Sequence, residues 1–210
     1  MLPLSQSHSL SMTNVNLLIF DQFETLDLFG PVEVLGRIDT MNLCYYSLHG
    51  GLVQSRDKAN IMTGKISDAD ARGILLVPGG MGTRPLVSDD EFISVLRSLA
   101  EQSLNVLTVC TGSALLAKTG LLNKIRATSN KKAFDWVRSV NRDVIWMEKA
   151  RWVHDGKFYT SSGVSAGIDM ALGYVADSFG KDQALEIAGH IEYVWNQDSS
   201  DDPFSAKGKS

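Results

Sequence analysis

Cysteine is scarce in this chain: Cys44 and Cys110 are the only two among 210 residues. Two cysteines build neither a disulfide framework nor a metal cluster, and free thiols fit a reducing compartment, so a cytoplasmic location is expected. Histidine is nearly as rare, with His8, His49, His154 and His190 as the full set. No combination of His, Cys and acids has metal-ligand spacing, so no metal and no other cofactor is expected. Basic residues form no block, and 20 Lys+Arg against 24 Asp+Glu leave a net charge of -4. That balance argues against nucleic acid as a partner. No apolar run approaches the length that spans a membrane, so no membrane partner is expected. Residues 1–13 lack the basic start and apolar centre of a signal peptide and read as a flexible extension; 205–210 read as a disordered tail.

What is present is ordinary globular composition, 44% hydrophobic and 21% charged, enough for one sizeable core. A single domain over 14–204 is expected, since a second would have to be very small. Apolar runs at 15–20, 42–47 and 73–77 read as strands, and Cys44 in the second reads as core packing. Apolar residues at helical spacing over 26–35 are interrupted by Gly30-Pro31; Pro suits a first turn, so the main helix is predicted to begin near Pro31. Residues 89–102 carry caps and spacing for an amphipathic helix. Helices are also predicted from the residues after Cys110 to near Gly120, and over 131–140, 165–179 and 181–194. Short strands are predicted at 144–147, 150–154 and 158–161. This alternation predicts an α/β fold with a mostly parallel central sheet and helices on both faces.

The most informative stretch is Leu107-Thr108-Val109-Cys110-Thr111-Gly112-Ser113-Ala114-Leu115-Leu116. A β-branched run ends on a cysteine, a small turn follows, and a helix-forming segment comes next. That order describes a nucleophile elbow with sulfur in place of oxygen. A thiol there sits at a helix N-terminus, whose field and free N–H groups favour the thiolate. The pattern suits equally a structural cysteine at a buried strand end. Two further loops follow strands, where α/β folds place ligands. One carries Glu24 and Asp27; the other is Gly79-Gly80-Met81-Gly82. Consecutive glycines admit close backbone approach, and with the Thr111 N–H they suit an oxyanion hole, or simply a plain turn. A carboxyl near the thiol suits orientation or proton transfer; otherwise Glu24 is a loop charge and Asp27 a helix cap.

Four ordered segments carry a family resemblance: Leu26-Asp27-Leu28-Phe29-Gly30-Pro31, Val77-Pro78-Gly79-Gly80, Val109-Cys110-Thr111-Gly112-Ser113 and Ser162-Gly163-Val164-Ser165-Ala166-Gly167-Ile168-Asp169. Together they resemble the ThiJ/PfpI superfamily, on the class I glutamine amidotransferase-like fold. Within it the chain most resembles the branch of isonitrile hydratases and of amidase-like sensor domains in transcription regulators. The resemblance implies a single-domain, flavodoxin-like sandwich with Cys110 as the reactive cysteine. It implies Asp27 as the acid beside the thiol, with Glu24 in reserve. It implies Gly79, Gly80 and Thr111 as backbone donors, and Met81, Asn130, Val164 and Ser165 around the pocket. It also implies a homodimer acting on a small molecule. One departure stands out: Asn130 occupies the position where many relatives have a histidine. A peptidase-like Cys–His dyad therefore lacks its base there.

Three functions follow from this resemblance. The favoured one is an isonitrile hydratase-like lyase, with Cys110 as nucleophile, Asp27 as acid/base and an N-substituted formamide as product. The second is a glyoxalase- or amidase-like enzyme on the same thiol. The third is a non-catalytic sensor of a ligand or of oxidative stress. Related regulators append a helix-turn-helix, for which no room is expected after Phe204.

Overall fold

The computed structural model describes residues 10–205; the expected extension up to residue 9 and the tail from residue 206 lie outside the described residues. The first half of the chain forms β1 (Thr13–Leu18), α1 (Thr25–Leu35), β2 (Met41–Ser47), β3 (Gly51–Gln54), β4 (Asn60–Lys65), β5 (Ile74–Val77), α2 (Thr83–Leu86) and α3 (Asp90–Gln102). The second half forms β6 (Asn105–Val109), α4 (Gly112–Lys118), β7 (Arg126–Ala127), α5 (Phe134–Val140), β8 (Ile145–Trp146), β9 (Trp152–Asp155), β10 (Phe158–Ser161), α6 (Ala166–Phe179) and α7 (Lys181–His190). Eight strands make one sheet in the order β3-β4-β2-β1-β5-β6-β10-β9. Its six inner strands run parallel, and β3 and β9 close the edges antiparallel. The mostly parallel α/β sheet expected from the sequence is the one observed.

The central strands are covered on both faces. Every residue of β5, Ile74, Leu75, Leu76 and Val77, is buried, which is why these strands read as continuous apolar runs. Helix α3 shows its rule as plainly. Asp89 accepts a hydrogen bond from the Phe92 N–H at 3.1 Å, and Phe92, Leu96, Leu99 and Ala100 line the buried stripe.

Helix α1, the β3–β4 hairpin, helix α7 and Cys44 differ from expectation. Helix α1 starts at Thr25 and runs through Pro31. An interior proline costs about 3 kcal/mol, yet Leu28, Gly30 and Pro31 are buried and the helix lies flush on α6. A Cβ on Gly30 would fall 2.7 Å from the Ile168 side chain. Tertiary packing prevails, and it carries Asp27 into the interior. The β3–β4 hairpin was not predicted, because only Val53 and Thr63 of its side chains are buried and no apolar alternation marks it. Helix α7 stops at His190, since Glu192 takes a left-handed conformation with φ 53° that turns the chain away. Cys44 is half-buried rather than core, with the Asn42 amide 3.3 Å from its sulfur.

Asp169, the last residue of the Ser162–Asp169 segment, anchors a buried network. It is fully buried, and its Oδ2 accepts from Arg151 Nε at 2.6 Å while its Oδ1 accepts from the Asn196 N–H at 3.0 Å. Asp202 lies 3.5 Å from Arg151 Nη1 and 3.9 Å from Lys131 Nζ. This buried network ties the C-terminal segment to β9 and α6, and the Arg151 carbonyl accepts from the Ser162 N–H at the start of a site loop. Asp169→Ala strands a buried guanidinium and is expected to cost about 3–5 kcal/mol in urea unfolding. A loss under about 1 kcal/mol would show that Asp202 alone satisfies Arg151.

Candidate active site

The loops after β1, β5, β6 and β10 meet at the carboxyl ends of neighbouring parallel strands, where open α/β sheets bind ligands. Cys110 is the first residue after β6 and holds a left-handed φ of 56°, a conformation uncommon for a residue with a side chain. Its surroundings over-determine it. The Cys110 N–H donates to the Ser161 carbonyl at 3.2 Å, and the Cys110 carbonyl accepts from Ser129 Oγ at 2.8 Å and Ser113 Oγ at 3.0 Å. Val164, on the loop after β10, is also left-handed, with φ 47°. For a β-branched residue that is a strained position.

Asp27 lies beneath the thiol, fully buried on α1. Its Oδ2 accepts from the Gly79 N–H at 3.0 Å, whereas its Oδ1 is buried without a hydrogen-bond partner. Burial pushes this carboxyl up to about 7; the Glu24 charge adds to that, while the Gly79 N–H, the Val164 N–H and the Cys110 thiol favour its ionised form. The Cys110 thiol is pushed well above its ordinary value, first by burial and then by the Asp27 charge, with the Thr111 N–H and hydroxyl pulling the other way. This reverses the expectation of a resting thiolate. Only 7% of Cys110 is exposed, α4 has seven residues, and a carboxylate sits alongside. The resting pair therefore carries a neutral thiol next to a carboxyl poised near neutrality, and the two can exchange a proton.

The Gly loop packs directly against the elbow. A Cβ on Gly79 would fall 2.5 Å from the Thr111 nitrogen and 2.9 Å from Cys110 Cβ, so only glycine fits. The expected backbone donors divide their work. Gly79 N–H is spent on Asp27, and Gly80 N–H donates to Thr111 Oγ1 at 2.9 Å. Thr83 Oγ1 lies 3.0 Å from that same hydroxyl. The Thr111 N–H is the donor of the three that reaches the sulfur.

A cleft of about 630 Å³ opens over the thiol. Glu24, Gly80, Met81, Cys110, Thr111, Asn130 and Val164 all line it, so most of the residues singled out in the sequence converge. Ser165 lines an adjoining cleft of about 310 Å³ that shares Asn130 and Val164. Glu24 pairs with Arg56 at 3.7 Å on the rim. Sequence reasoning missed Arg84, Lys132 and Ala133 on the same cleft; a cation in a helical turn carries no motif, and Lys132 precedes α5 without signal. His49, His154 and His190 each line a different cleft, and His8 lies outside the described residues. Among the described residues, no three His, Cys, Asp or Glu side chains are grouped to hold a metal, and no helix is long and apolar enough to cross a membrane.

A parallel sheet with a strained cysteine at the strand–helix elbow, over a buried acid, defines the class of this protein. The DJ-1/PfpI family model matches residues 13–177, and the chain belongs to that family. Isonitrile hydratase of Pseudomonas putida is 32% identical over 183 residues, 86% of this chain and 78% of the relative. An HTH-type transcriptional regulator, GbdR, of Pseudomonas aeruginosa is 27% identical over 187 residues, but the match spans only 50% of its length. The crystal structure of a ThiJ/PfpI family protein from Pseudomonas syringae superposes with a TM-score of 0.82 at 26% identity, covering 89% of this chain and 77% of that one.

Proposed function

We propose that this chain is a cysteine-dependent enzyme of the isonitrile hydratase type, adding water to R–N≡C to give an N-substituted formamide. One observation carries the reading: a buried carboxyl pushed up toward neutrality lies against a thiol at the floor of a cleft whose described lining residues include no histidine. The Asp27 carboxylate takes the thiol proton as sulfur attacks the terminal carbon. It returns that proton to the same carbon, giving the thioimidate R–N=CH–S–Cys110. Water then adds at the carbon; Asp27 takes a proton from it and the nitrogen gains one. Collapse of R–NH–CH(OH)–S–Cys110 breaks the C–S bond, releases R–NH–CHO and restores the thiol with the hydroxyl proton. The Thr111 N–H steadies negative charge on sulfur as it arrives and departs. Every proton moves between Asp27, sulfur, water and substrate, so the scheme needs no histidine.

The relative named isonitrile hydratase supports this reading, at 32% identity. The half-length match to a regulator favours a second one, a small-molecule sensor built on the same cleft. Incubation with phenyl isonitrile, following the formamide by absorbance, separates them. Steady turnover supports the hydratase. No formamide, with Cys110 still labelled by iodoacetamide, would sink the hydratase reading and leave the sensor.

The same reading places the protein as a homodimer in a reducing compartment, which suits two free cysteines. Light scattering after gel filtration is expected to give twice the chain mass; the monomer mass at micromolar concentration would overturn the dimer.

A further inference from the structure

The chemistry described so far uses the floor of the cleft and leaves its wall unexplained. At about 630 Å³ the cleft is several times larger than an isonitrile carbon and nitrogen need, so a substantial R group is meant to fill it. Arg84 and Lys132 both line it. Neither has an ion-pair partner among the described residues. Among the described residues lining this cleft, the acid is Glu24, and it pairs with Arg56 at 3.7 Å. The neighbouring cations differ: Lys131 and Arg151 are buried in the network with Asp169 and Asp202. Lys132 belongs to the reactive cleft and to the adjoining one.

Arg84 is also pre-positioned. Its guanidinium carbon lies 3.8 Å from the centre of the Trp136 ring. Stacking on an aromatic face fixes the plane of the guanidinium and keeps its full charge. The N–H donors point outward along the edge of that plane, in the fork that matches the two oxygens of a carboxylate. An exposed arginine stacked on Trp136, with a lysine on the same wall, offers an anion two cations and a planar fork that fits the two oxygens of a carboxylate.

We infer that the small molecule taken by this cleft carries a carboxylate at the end remote from Cys110, held by Arg84 and Lys132. Resting on the hydratase reading, the preferred substrate class becomes isocyano carboxylic acids, with neutral alkyl or aryl isonitriles turned over more slowly.

The test uses alkylation of Cys110, which needs no turnover. 4-(Iodoacetamido)benzoate and iodoacetanilide attack the same sulfur and differ in one carboxylate at the end remote from it. With Cys44→Ser as the background, the rate ratio of the charged to the neutral reagent is expected to fall about tenfold in Arg84→Gln/Lys132→Gln, and to fall likewise in the parent as salt rises from 20 mM toward ~1 M. The neutral reagent reports that the thiol and fold persist. A ratio unchanged by both manipulations overturns the carboxylate site. In parallel, kcat/KM for 4-isocyanobenzoate over phenyl isonitrile is expected to exceed ten and to drop in the same variant. Charge-selective labelling without turnover of either isonitrile upholds the anion site and defeats the hydratase reading. Turnover without charge selectivity does the reverse.

Discussion

Replacing Cys110 by alanine or serine is expected to bring isonitrile turnover to background. Among the described residues lining the cleft the thiol is the strong nucleophile, and a serine hydroxyl in a site that already pushes a thiol upward ionises far less readily. The fold is expected to survive. Alanine and serine bear the same left-handed penalty as cysteine, and the bonds from Ser113, Ser129 and to Ser161 belong to the backbone of residue 110. Near-ultraviolet circular dichroism therefore stays as in the wild type, with a stability cost of about 1 kcal/mol for the lost buried sulfur. Turnover persisting in a folded Cys110→Ala protein would remove Cys110 from the mechanism altogether.

Asp27→Asn is expected to lower turnover about 10³-fold, the scale of a lost general acid/base. Asparagine can still accept from the Gly79 N–H, so the position is kept while the proton carrier is lost. Two titrations make the result diagnostic. Asp27 raises the thiol pKa, so the Cys110 thiol of the variant titrates lower than that of the wild type. More thiolate with less turnover separates a proton-transfer role from a purely electrostatic one, which would have accelerated the variant. In the wild type, kcat/KM rises through about pH 7 as the carboxylate forms, and this limb is absent from the variant.

Stability follows the same group with a fixed sign. The folded-state value of Asp27 lies above its ordinary 3.8, at about 7, so the folded protein holds the extra proton. The stability it contributes is complete below about 3.8 and is lost as pH rises through about 7. The loss in the wild type amounts to as much as ~4 kcal/mol across that window, at ~1.4 kcal/mol per pKa unit. Asp27→Asn removes this slope, so the variant gains on the wild type above neutrality. Equal urea-unfolding slopes against pH in the two proteins would show that Asp27 is not buried as a neutral acid.

Much of the candidate site was legible because its geometry is written in local sequence. A β-branched run into Cys110-Thr111-Gly112 dictates an elbow, and Pro78-Gly79-Gly80 dictates a loop that another backbone can touch. Arg84 and Lys132 were illegible, since an isolated cation has the same local signature on a solvated face as on a cleft wall. The buried role of Asp169 was illegible for a related reason: an acid early in a helix is favourable by itself, and nothing nearby in sequence announces Arg151 or Asp202.

The sequence by itself determined the parallel α/β sheet, the order of its loops and the cysteine at the elbow. Apolar runs, glycines and β-branched residues act over a few residues and need no distant partner to be read. Only the tertiary structure decided the protonation of the site. The helix-end rule favours a thiolate at Cys110, yet burial and the approach of Asp27, carried inward by a helix that passes through Pro31, make the thiol neutral and the acid poised. Desolvation and charge–charge contact depend on what the whole chain brings around a group, and that is settled only when α1, the Gly loop and the Val164 loop close over the same few ångströms.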